Sequence, residues 1–74
     1  MSKRKLPFDC RVIDTKPVEV KNRFTGDPVM LEPDAVAVYD TLMGAELIQD
    51  WKSLRKGLDW FIDNEPKAYM VLLD

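Results

Sequence analysis

A chain of 74 residues with one cysteine and no histidine reads as one small domain. It lacks the means for an internal disulfide or a multi-ligand zinc site. Hydrophobic residues at 46% and charged residues at 32% are globular values that argue against disorder, and no apolar run approaches the roughly 18 residues of a membrane span.

The net charge of −2 conceals an asymmetry, since residues 1–26 carry +4 and residues 27–74 carry −6. Such a division suits a basic arm for nucleic acid or an acidic body for a basic partner. The opening residues "MSKRKLPFD" start basic with no apolar stretch behind them, which is not the pattern of a signal peptide. A lone thiol, Cys10, fits a reducing compartment.

Residues 1–6 read as a flexible basic tail, and 8–31 as a β region. In "PFDCRVID", Phe8, Cys10 and Val12 alternate with Asp9 and Arg11, the period of a half-buried strand. "VEVKNRFTGDPVML" reads as a β-hairpin with Val18 and Val20 inward and Val29–Leu31 returning. Gly26 supplies the positive φ that the reversal needs, and Phe24 falls near the tip.

Residues 33–74 read as helical. Pro33 suits the first helical position, and Ala35, Val36, Val38, Tyr39, Leu42 and Met43 share one face, with Ala37, Asp40, Thr41 and Gly44 opposite. Beyond Gly44, an unbroken helix carries Glu46 onto that apolar face. Either the helix ends near Gly44, or Glu46 reaches the rim and pairs with Arg55 or Lys52. Both options make Glu46 structural, and Ile48 points to a change of direction within residues 44–50.

Asp50 is a good N-cap for a second helix, whose core stripe is Trp51, Leu54, Leu58, Phe61 and Ile62, with Gly57 at its edge allowing a close approach. Trp60 falls nearly opposite that stripe. In "NEPKAYMVLLD", Pro66 suits a short third helix capped by Asn64 or Glu65, with a buried strand as the rival; the single β-branched residue, Val71, favours helix. The expected fold is α+β, an N-terminal β-hairpin or three-stranded antiparallel sheet followed by two or three helices.

Without histidine, the commonest general base and metal ligand is missing. The acidic residues lack calcium-loop spacing, and "FTGDP" is no phosphate loop. The expectation is a protein that is not an enzyme and takes no cofactor or metal. Trp60, with Lys56 and Ser53 on the preceding turns, and Phe24 at the hairpin tip are the expected partner contacts, because aromatic side chains anchor interfaces. The occupant is either a second copy of the chain, in a homo-oligomer, or another protein. The alternative is a nucleic-acid-associated factor using the basic N-terminal region, with Phe24 stacking on a base.

From about residue 18 to 74, the landmarks "TGD", "LEPDAVAVYD", "GAE", "GLDWF" and "AYMVLLD" resemble small uncharacterised proteins of marine cyanobacterial tailed phages and related marine metagenomic sequences. That resemblance implies a phage accessory protein in the host cytoplasm, with virion association left open, and implies no mechanism.

Overall fold

The computed structural model describes residues 4–13 and 15–73. It contains strands β1 (Val18–Lys21) and β2 (Pro28–Leu31), then helices α1 (Pro33–Leu47), α2 (Trp51–Asn64) and α3 (Pro66–Leu72). The architecture is a two-stranded antiparallel hairpin followed by three helices. The hairpin pairs Val18 with Leu31 and Val20 with Val29, so the apolar members share the face that packs on the core. Gly26 takes φ +78°. Inside the turn the Asn22 side-chain oxygen accepts from the backbone N–H groups of Phe24 and Thr25, at 2.7 and 2.9 Å. Its amide nitrogen donates to the Val71 carbonyl at 2.7 Å, tying the turn to α3.

The strand expected over Phe8–Val12 does not form among the described residues. This segment runs without strand pairing instead, with Leu6, Phe8 and Cys10 packed against the core. Phe8 and Cys10 meet the core as the alternation expects, whereas Val12, expected inward, is 45% exposed; periodicity alone cannot report whether a sheet edge is the partner. The flexible tail expected over residues 1–6 lies partly on residues 1–3, outside the described residues, and Arg4 is held by ion pairs to Asp34 and Glu65.

α1 starts at Pro33 and runs through Gly44 to Leu47. The chain then reverses at Gln49, which adopts φ 59°. Of the two options for Glu46, the rim is realised, with Arg23 of the hairpin as its partner at 2.9 Å in place of Arg55 or Lys52. Ala37, expected on the polar side, is buried along with Ala35, Val36, Val38, Leu42 and Ala45. Burial of Ala37 and Ala45 widens the covered arc of α1 beyond the single face read from its wheel.

The core comprises Leu31, Ala35, Val36, Val38, Leu42, Trp60, Phe61 and Ala68. Phe61 lies edge-on to both Trp60 and Tyr39, with ring centroids 5.2 and 6.5 Å away. α3 forms as the Pro66 reading expects. Glu65 holds its N-cap position without a side-chain capping bond.

Candidate functional site: an open face on helix α2

α2 is placed by two local features. Asp50 caps it, its carboxylate accepting from the Ser53 backbone N–H at 3.2 Å. Hydrogen bonding from the Ser53 side chain first and from its backbone N–H second, helped by nearby Lys52 and Lys56, lowers the Asp50 pKa. Gly57 sets the contact face: a Cβ there would lie 2.9 Å from both Cδ1 and Cγ of Leu42 and 3.4 Å from Cε2 of Phe8. Only the missing side chain lets α1 and the N-terminal segment approach so closely.

The consequence runs around the helix. Buried Gly57, Trp60 and Phe61 centre the inward face roughly a quarter turn away from the apolar stripe read in the sequence. The stripe is therefore only half covered. Phe61 is fully buried, whereas Trp51 is 58% and Ile62 46% exposed, correcting their expected place in the core. With half-buried Leu54, Leu58 and Tyr69 they line a shallow groove of about 570 Å³, edged by Lys52, Arg55 and Asp59. Leu47 and Ile48, just before α2, are also exposed.

Trp60 moves the other way. Expected to project from the polar side, it is 6% exposed. Its indole N–H donates to the Lys5 carbonyl at 2.8 Å, and the Arg4 guanidinium lies 4.7 Å from its ring centre. Both of these contacts come from the N-terminal segment. Arg4 forks onto Asp34, with Nε to Oδ2 at 2.9 Å and Nη2 to Oδ1 at 2.6 Å, and donates through Nη1 to Glu65 at 2.6 Å. The pairing with Arg4 holds the Asp34 carboxyl below its usual range and raises the guanidinium. This clasp joins the N-terminal segment to the start of α1 and to the α2–α3 junction.

Among the other expected contacts, Ser53 is half-buried and Lys56 exposed on the flank of α2. Phe24 is 84% exposed on a separate element, the hairpin tip, with the Arg23 guanidinium 5.0 Å from its ring centre. Trp60 thus drops out as an exposed anchor, and Trp51, which the sequence reading assigned to the core, takes that position. The signal that could have found this was Gly57, whose bare Cα marks the true contact line. Burial raises the pKa of the half-buried Cys10 thiol, with Asp9 and Asp34 adding to the effect, so the reactive thiolate is disfavoured.

The charges of α2 are arranged against its own dipole. Lys52, Arg55 and Lys56 lie in its first half and Asp59 and Asp63 in its second. A helix favours the reverse, by about 0.3–1 kcal/mol per terminal charge. Among the described residues, no cluster of three or more acidic or cysteine side chains is suited to a metal, and no helix is long and apolar enough to cross a membrane. Comparisons with protein-family models, curated proteins and solved structures found no match to this chain.

Proposed function

We propose that this protein acts without catalysis, as a binding module whose contact surface is the open face of α2 around Trp51. The observation that carries the reading is the half-covered stripe: Trp51 and Ile62 stand exposed beside Leu54, Leu58 and Tyr69. Single exposed apolar residues are ordinary, but a contiguous set rimmed by charge is the usual composition of an interface. Trp51 adds large area with few rotatable bonds, as interface anchors do. The resemblance to phage proteins would set such a partner in an infected host cell, as an accessory role in infection.

A nucleic-acid role draws less support. Of the basic groups it would use, Arg4 is engaged by Asp34 and Glu65, and Arg23 by Glu46. The test is photo-crosslinking in cells producing the full chain, with a photoreactive side chain at position 51 or, as control, at exposed Lys16. Specific protein adducts at position 51, absent at 16, are the expected result. Equal labelling at both sites, or none, would remove the reading.

A further inference from the structure

We infer that the occupant of the α2 face is a second copy of this chain, its α2 packed antiparallel across a two-fold axis near the middle of the helix. The inference rests on the reading of that face as a binding surface and adds the partner's identity and orientation. The argument is charge complementarity. The first half of α2 carries only basic side chains beyond its cap, and the second half only acidic ones. A parallel pair would set like charges side by side. An antiparallel pair sets each half against its opposite.

The register follows from the groove. A dyad midway between Trp51 and Ile62 lays each Trp51 against the Ile62 of the other copy, with Leu58 near the centre. Arg55 and Asp59 edge the groove together with Lys52, and at about 100° per residue all three fall on one flank of the helix with Asp63. A two-fold axis perpendicular to the helices brings that flank against its own copy. Arg55 then meets Asp59 of the other copy, and Lys52 meets Asp63, each pair occurring twice. The charge order that opposes the dipole of the isolated helix acquires a purpose in the pair, where these four charges each face an opposite one and Lys56 lies outside the contact. These four side chains are exposed, so reversing them leaves the core untouched.

Sedimentation equilibrium of the full chain at low and high salt tests the proposal, with circular dichroism confirming that each variant is folded. The native chain is expected to dimerise at or below roughly 100 µM. Arg55→Asp alone and Asp59→Arg alone each create two repulsive pairs and should weaken the dimer by about tenfold or more. Mixing these two variants in equal amounts should restore association, because both cross-pairs are then of opposite sign. A native chain that stays monomeric overturns the inference, as does a dimer indifferent to the single reversals or not rescued by mixing. Failure here leaves the binding reading standing when position 51 cross-links to a different protein, and the absence of any adduct at 51 removes both.

Discussion

The two tryptophans of α2 sit nine residues apart on one helix and have opposite fates. Trp60 is enclosed by residues 4–6, its indole N–H bonded to the Lys5 carbonyl and its ring covered by Arg4. Trp51 stands 58% exposed on a groove with no cover. Helix periodicity ranks them the other way, with Trp51 in the stripe and Trp60 outside it. What separates them is the neighbour that each meets. Gly57 draws α1 to its own side of the helix, and the N-terminal segment finds Trp60 there. An apolar stripe states what a helix can bury, whereas the close-approach point decides what it does bury.

The sharpest way to break this contrast is to truncate each indole. Trp60→Ala removes a buried ring and should destabilise the fold by about 3–5 kcal/mol. Trp51→Ala should change the stability of dilute protein by less than about 0.5 kcal/mol. Urea unfolding at low micromolar concentration reads both. Comparable losses would mean that Trp51 is as covered as Trp60.

The clasp over Trp60 comes next. Arg4→Ala leaves partly buried Asp34 and Glu65 unpaired and removes cover from the indole, so a loss of about 1–3 kcal/mol is expected. An unchanged unfolding midpoint would show that residues 4–6 contribute no cover. The two helical glycines form a matched pair. Gly57→Ala must displace fully buried Leu42 and should cost about 1–2 kcal/mol despite the better helix propensity of alanine. At Gly44 a Cβ meets nothing within 4 Å, so Gly44→Ala should stabilise by about 0.5–1 kcal/mol.

The pH response of the clasp is the smallest effect. The folded-state pKa of Asp34 is lowered by Arg4. Its contribution is therefore present above the unfolded carboxylate value of about 3.9 and is lost as pH falls through the lower folded value. Unfolding free energy should drop on acidification below about pH 4, and Asp34→Asn should flatten part of that slope. An identical slope in the variant would detach Asp34 from the acid response.

Much of the fold was legible because its signals are local. Val18 and Val20 alternate with Glu19 and Lys21, Gly26 takes a positive φ, Pro33 and Pro66 open helices, and Asp50 caps α2; each is dictated within a few residues of chain. The Glu46 question was legible only in part: the need for a basic partner followed from its wheel position, while the choice of Arg23 depended on where the hairpin docks. The candidate site was the least legible. Lys56 and Ser53 were assigned to a rim around Trp60, and that tryptophan proved to be buried.

The sequence by itself determined an α+β chain with an N-terminal hairpin, two or three helices after it, and an apolar stripe on α2. Tertiary structure alone decided which part of that stripe stays open. Phe8 and Cys10 pack on the core without forming a strand while Val12 stays exposed, Arg4 closes over Trp60, and Gly57 turns α2 so that Trp51 and Ile62 face outward. These outcomes depend on contacts between residues far apart in the chain, such as the 2.8 Å bond from Trp60 to Lys5. Periodicity assigns each side chain an angle on its helix, and only the packing of one element on another gives that angle an inside and an outside.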